Sequence, residues 1–555
     1  MQLPIKKIIL VTFLYLVCAT VAGADIFAPV LAPPRSSHYP QAGSLLELEE
    51  IVLIALGDSL TQGTMDITVN LTNTKHSYMQ LIVDSIGSIR DISFSQPLLG
   101  KRKKRINQFT IPTNISIEAT DVFSTEGIEY YKRVGAQESY VNTDYLCKNL
   151  MPWRQNTIFE KVLYPINVAA KKTVSQLDAA CWLLEQVAHS RGQSKAVVIL
   201  WLGNMDTSTA ATGLGGFAPL ALPLPMHHIS REVNPILNCM MRSAEDKGYL
   251  TTHPYTRSLI ERNLTLSEEF SEQFENILSA FDRFTDPSDC VADIFVCTLP
   301  YFSSMGYLFD SDDLEFYLHK ANPFYTLPNG FKRVVDKDEE IEDPFRGDRS
   351  PLFNFLCMYL LLLQGYDIEF VNQIVQDDGY VLSEDEQYLI MDSIDSYNNS
   401  IREAVRRRDG CFHLIDIGER LNDVLSGKTK ISVGQFKLSR KWGRGNSFSF
   451  DGAHPGYTVN ALIANYILDE LGAVLGLDPP LYDLAKIAEI DPYIDRDGDG
   501  WFSGPDYPPK GLTEVLFHFK DPDDGDSMLQ PQIQPNIWHS ITRALIYRMI
   551  TGTLY

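Results

Sequence analysis

The chain has 555 residues, 45% hydrophobic and 21% charged, proportions that suit a globular protein with a substantial buried core. Its formal net charge of −23 repels nucleic acid and other polyanions at long range, so polyanion binding is set aside as the main task. The same acidity suits a protein that holds cations.

At the N-terminus Lys6 and Lys7 precede an apolar run, Ile8 to Val17, and then small residues. That layout is a secretory signal peptide over residues 1–23, with an apolar run too short to span a bilayer. Residues 24–48 are proline-rich and read as an exposed linker. Export would leave seven of the eight cysteines, an odd number, so at least one stays free or pairs between chains. Cys297 and Cys411 fall inside apolar runs, where buried thiols are expected. The absence of a CxxC pair gives a zinc site no support. Four N-x-S/T sequons occur, at Asn70, Asn114, Asn263 and Asn398.

In chain order, short apolar runs at 51–56, 196–202, 293–300 and 412–417 each end in a turn or polar signal. Such runs predict strands buried on both faces. Helical periodicity covers 173–190, 266–284 and 383–408, the last with Ser383 as N-cap and a basic end. "CMYLLLLQGY" (357–366) predicts a buried helix. Strands alternating with helices imply a parallel sheet covered on both faces. No repeat at solenoid spacing is present.

The first run leads into "GDSLTQG". Ligands bind beyond the carboxyl ends of strands in open parallel sheets, so Ser59 is placed at a site mouth. A serine hydroxyl becomes a useful nucleophile only beside a base that is itself oriented. His454, in "FSFDGAHPGY", stands between a turn and an apolar helix, with Asp451 three residues before it. That spacing can bring a carboxylate to Nδ1 and leave Nε2 for the serine. Taken alone, each motif reads better as plain structure, a helix cap or an Asx turn.

Together, "GDSLTQG" and "DGAHPGY" resemble the first and last blocks of the SGNH, or GDSL, hydrolases. "VVILWLGNMD", "VCTLPYF" and "SYNNSIREAV" fall between them in family order, so that the resemblance covers roughly residues 49 to 475 with insertions. It implies a flavodoxin-like three-layer α/β/α sandwich with a parallel sheet, and ester hydrolysis through an acyl-serine. Ser59 is then the nucleophile, His454 the general base and Asp451 its orienter. The oxyanion donors would be the Ser59 N–H, a glycine N–H and an asparagine side chain. In strict register Met205 occupies the asparagine position, and a thioether cannot donate a hydrogen bond. Asn204 can serve if the loop shifts by one residue, and Gly100 is the candidate glycine.

A second motif is independent. "DRDGDGWFSGPD" (495–506) sets Asp495, Asp497, Asp499, Trp501, Ser503 and Asp506 at positions 1, 3, 5, 7, 9 and 12 of an EF-hand-like calcium loop. Calcium is expected there as a structural ion, and no cofactor is expected for catalysis. "GKRKKR" (100–105) reads as an exposed basic loop, with a processing site or a lipid-headgroup contact as alternatives.

The expected organisation is a signal peptide, a linker, a hydrolase domain over 49–478 and a C-terminal extension over 479–555. The expected function is a secreted serine ester hydrolase with an ester substrate, lipid or lysophospholipid esters favoured, and a peripheral lipid contact. A carbohydrate acetyl esterase is the alternative within catalysis. A calcium-stabilised extracellular binding protein is the alternative outside it, because of Met205. Nothing in the sequence fixes the oligomeric state.

Overall fold

The computed structural model describes residues 50–511 apart from 101–103, 135–136, 152–154, 191–193, 214–219, 222–249, 252–254, 287–289, 334–345, 364, 377–380, 409 and 497–501. The signal peptide and linker assigned from the sequence lie outside these residues, as does everything after 511.

The elements that carry the site follow in chain order. Strand β1 (Glu50–Gly57) leads into the one-turn helix α1 (Ser59–Gln62). Helix α2 (Tyr78–Gly87) and the short strand β2 (Ile92–Ser93) follow. Next come α3 (Gln176–His189), β3 (Ser194–Trp201) and α4 (Met205–Thr212). Then come α5 (Ser267–Ser279), β4 (Ala292–Cys297), α6 (Leu352–Leu363) and α7 (Glu384–Arg406). Strand β5 (Phe412–Ile415) and helix α8 (Tyr457–Leu475) complete the frame.

All pairings in the five-stranded sheet are parallel, and its order is β2-β1-β3-β4-β5. This is a doubly wound order, with its switch point between β1 and β3. Successive strand residues point to opposite faces, and Leu53 through Gly57 are all buried, so helices cover both faces of β1. Helix α2 packs on α8; α3 packs on β1 and β3, and α5 packs on α7. Helix α8 is apolar and long enough to cross a membrane, but its core-facing residues and its packing on α2 make it a core helix.

Local chemistry explains the boundaries. Ser383 caps α7 through a capping box with Glu386, each side chain answering the other's backbone N–H. Ser175 and Asp178 do the same for α3. The described part of the C-terminal extension, up to 511, packs on the same core. Tyr493, Ile494 and Phe502 join it, and Tyr482 donates to Leu81 O at 2.7 Å.

Cys411 differs from its expectation as a buried thiol, because it forms a disulfide with Cys290. The bond ties the segment before β4 to the segment before β5 across 121 residues of sequence. Cys297 is the buried free thiol expected. Among the described residues the one grouping of potential metal ligands, Cys290, Asp293 and Cys411, contains this disulfide. Of the sequon asparagines, Asn114, Asn263 and Asn398 are buried, and the Asn70 amide nitrogen is enclosed while its oxygen caps a helix. None of the four presents its amide for a glycan in this fold.

Candidate active site

The site forms where β1 and β3 end, on either side of the switch point. Gly57 closes β1 with no room for a side chain: a Cβ there would stand 2.9 Å from Trp201 O and closer still to Thr61. The chain can therefore turn sharply into Asp58 and Ser59. Asp58 caps α1 by accepting from Leu60 N–H at 2.9 Å.

The structure brings Ser59, His454 and Asp451 together from segments almost 400 residues apart. His454 Nε2 lies 3.0 Å from Ser59 Oγ, and Nδ1 lies 2.7 Å from Asp451 Oδ2. Asp451 also accepts from the N–H groups of Ala453 and His454 at 2.9 Å, so the carboxylate that meets the imidazole also closes an Asx turn. A fourth donor, Ile67 N–H at 2.8 Å, comes from a turn in which Asp66 and Ile67 both adopt left-handed backbone angles.

These contacts set the charges. Burial alone would raise the Asp451 pKa, but the imidazole and the surrounding N–H groups hold it down at about 2. Asp451 is thus a carboxylate throughout the neutral range. Burial would lower the His454 pKa; the Asp451 charge and hydrogen bond, helped by Asp58 and Glu118, raise it above its ordinary 6.5. Only neutral imidazole can take the serine proton. Activity on an uncharged ester should therefore fall on acidification, with an apparent pKa above 6.5 in kcat/KM. Asp451→Asn removes the largest contribution raising that pKa. The residual activity of that variant should show its acid limb at lower pH, which a pH series on both proteins checks.

Asn204 and Met205 fall on opposite sides of the register question. Gly203, at φ 119°, takes a backbone shape that a side chain would strain, and it turns the chain so that Asn204 adjoins the nucleophile segment. Asn204 is buried, and its Nδ2 donates to Asp58 Oδ2 at 3.0 Å. The second hydrogen on that nitrogen has no acceptor among the described residues. Met205 instead begins α4, with Ser208 donating to its sulfur at 3.0 Å. Asn204, and not Met205 as strict register would have it, thus reaches the turn that carries Ser59, through its bond to Asp58. Asp58 is raised to about 6 by its burial, against the pull of the Leu60 and Asn204 hydrogen bonds.

Gly100 lies elsewhere. It sits in a hairpin whose strands pair at Leu99 and Arg105, and its N–H donates to Lys104 O at 2.8 Å. That N–H is not available to an oxyanion. The segment that reaches the turn carrying Ser59 is instead 113–120. It runs beside β1, with Ile117 N–H on Gly57 O at 3.1 Å and Glu118 N–H on Gln62 Oε1 at 3.0 Å. Ala119 follows with φ 60°, and its N–H has no acceptor among the described residues. Sequence reasoning missed this position because its signal would be a glycine, and alanine stands there. Asp58 was in view within "GDSL", but its bond to Asn204 is a long-range contact that spacing does not show.

Asp206 anchors the Asn204 turn from behind. It accepts from Arg133, Thr265 and Val122 N–H, and Arg133 also pairs with Asp121. All of these side chains are buried, and Arg133 is the cation that answers both carboxylates, so its removal would leave Asp121 and Asp206 without their counter-charge in the interior.

Asp497, Asp499 and Trp501 of the calcium pattern lie outside the described residues. Of the rest, Asp506 is engaged elsewhere: its Oδ2 lies 3.2 Å from His76 Nε2 and accepts from Tyr457 OH at 3.4 Å. A calcium ion using position 12 would have to draw this carboxylate away. Arg496 holds the ends of the loop by donating to Ala488 O at 2.8 Å, Asp491 O at 2.9 Å and Ser503 O at 3.4 Å. Asp495 and Ser503 carry the remaining described positions of the pattern.

No protein-family model matches this chain, and no curated protein matches it.

Proposed function

We propose that the chain is a secreted serine ester hydrolase of the SGNH or GDSL type. The observation that carries this reading is the unbroken hydrogen-bonded chain from Ser59 Oγ through His454 to Asp451. In this mechanism Ser59 attacks the ester carbonyl carbon and its proton passes to His454 Nε2. The tetrahedral oxyanion is held by the Ser59 and Ala119 N–H groups and by Asn204 Nδ2. His454 then gives the proton to the departing alcohol, leaving an acyl-serine. Water, activated by the same imidazole, hydrolyses that ester and restores the serine.

Asn204→Ala tests the oxyanion assignment. Loss of one such donor typically lowers kcat by about 10²–10³ with little change in KM. The same loss in kcat is expected here, with a modest fall in melting temperature because Asp58 Oδ2 loses its donor, whereas Met205→Ala should leave kcat nearly unaltered.

Lipid or lysophospholipid esters are the favoured substrates, and carbohydrate acetyl esters the alternative. The Cys290–Cys411 disulfide supports an oxidising compartment, in keeping with export. Calcium belongs to the proposal as a structural ion of the 495–506 loop. Chelation should then lower the melting temperature, and Asp497→Ala should abolish that response. The reading as a whole is tested on short- and long-chain nitrophenyl esters. Wild-type turnover should be lost in Ser59→Ala, and equal rates for the two proteins would overturn it. Preference for long over short acyl chains would favour lipid esters; the reverse would favour acetyl esters.

A further inference from the structure

Asp58 and Asn204 each stand at the head of a helix, and only one of them caps it. Asp58 Oδ1 accepts from Leu60 N–H at 2.9 Å at the start of α1. Asn204 precedes α4, where an asparagine side chain ordinarily caps. It makes no capping bond there. Its amide turns to Asp58 instead, with Nδ2 3.0 Å from Oδ2. Both side chains are buried, Asp58 at 1% and Asn204 at 4% exposure.

An amide has an oxygen end and an NH₂ end of nearly the same shape, so a neighbour must decide which way it faces. For Asn204 that neighbour is Asp58. The amide oxygen, Oδ1, has no partner among the described residues and so does not settle the matter. The backbone beneath is held firmly. A Cβ on Gly203 would stand 2.7 Å from Leu299 Cδ1 and 3.1 Å from Phe270, and Asp206 is anchored by Arg133 and Thr265. What stays open is the half-turn of the amide itself. Burial raises Asp58 to about 6, so at pH 8 it is a carboxylate. A carboxylate only accepts, and it therefore selects the NH₂ end.

We propose that Asp58 is a positioning residue, whose carboxylate fixes the orientation of the Asn204 amide and so completes the oxyanion site. The role rests on the serine-hydrolase reading and does not require Asp58 to touch the substrate. One hydrogen of Nδ2 goes to Asp58 Oδ2, which leaves the other for the oxyanion. A donor aimed in advance needs no reorganisation as the charge develops. The reversed amide would set an oxygen there and repel that charge.

Asp58→Asn separates this role from capping. Leu60 N–H still needs an acceptor, which keeps the oxygen of the new amide on the capping side. Its NH₂ group then faces Asn204. Two NH₂ groups cannot bond, so the Asn204 amide turns over and its hydrogens leave the oxyanion site. Loss of the Asp58 charge also lowers the His454 pKa. That favours the neutral imidazole and cannot itself reduce kcat at pH 8.

Wild type, Asp58→Asn, Asn204→Ala and the double variant are compared at pH 8 on a nitrophenyl ester, with melting temperatures taken alongside. Asp58→Asn should lower kcat by about 10²–10³ with little change in KM, the loss typical of one oxyanion donor. In the Asn204→Ala background it should cost no more than about twofold further, because Asp58 acts through that amide. Asp58→Ser keeps a capping oxygen but is too short to steer Asn204, and its kcat should fall between wild type and Asp58→Asn. Wild-type kcat in folded Asp58→Asn or Asp58→Ser protein, or losses that multiply in the double variant, would overturn the proposal and leave the hydrolase reading in place. A wild type that turns over no ester would remove that reading, and this role with it.

Discussion

His454→Ala is expected to lower kcat by about 10⁶, as far as Ser59→Ala does, with little further loss when both changes are made. In the proposed mechanism the two groups act as one device. Without the imidazole, Ser59 Oγ has no acceptor for its proton at the 3.0 Å position that Nε2 occupies. Without the hydroxyl, the imidazole has nothing to activate. Losses that added across the double variant would mean that the two residues act separately. Neither side chain holds the core, so melting temperatures should stay close to wild type and exclude misfolding as the cause.

Asp451→Asn should cost about 10⁴ in kcat while preserving the fold. The amide keeps the shape of the carboxylate. Its oxygen can still accept from the Ala453 and His454 N–H groups that define the turn. What it cannot do is accept at both oxygen positions. Asp451 Oδ2 takes hydrogens from His454 Nδ1 at 2.7 Å and from Ile67 N–H at 2.8 Å. With an NH₂ at that position, the imidazole is driven to the tautomer with Nε2 protonated, which cannot accept from Ser59. Asp451→Ala, in contrast, deletes all four acceptor contacts and should reduce stability as well as rate. Comparing melting temperatures of the two variants separates the charge effect from the structural one.

The sheet was legible because its strands are unusual as sequence. Runs such as "IVLIAL" and "AVVILWL" are apolar without alternation, which only a strand covered on both faces requires. The capped ends of the helix beginning after Ser383 were equally plain. Strand β2, two residues long, left no such trace. Ser59, Asp451 and His454 were legible because each follows a turn signal whose spacing limits where the side chain can go. Asn204 against Met205 was not. The answer depends on the φ of Gly203 and on a bond to Asp58 across 146 residues, and neither leaves a local pattern. Ala119 was hidden for a related reason: its left-handed backbone is maintained by contacts of its loop with Gly57 and Gln62, not by its own residue type. The Cys290–Cys411 pairing was out of reach because cysteine counting never yields connectivity.

The most direct measurement is mass spectrometry of the native protein after reaction with a fluorophosphonate ester. This reagent loses fluoride to an activated serine and leaves a stable phosphonyl ester. One adduct per chain is expected, on Ser59, absent from Ser59→Ala and His454→Ala. Its rate of formation should fall on acidification with a pKa above 6.5. An unlabelled native protein, or an adduct on a different serine, would contradict the assignment of Ser59, His454 and Asp451 as a catalytic unit.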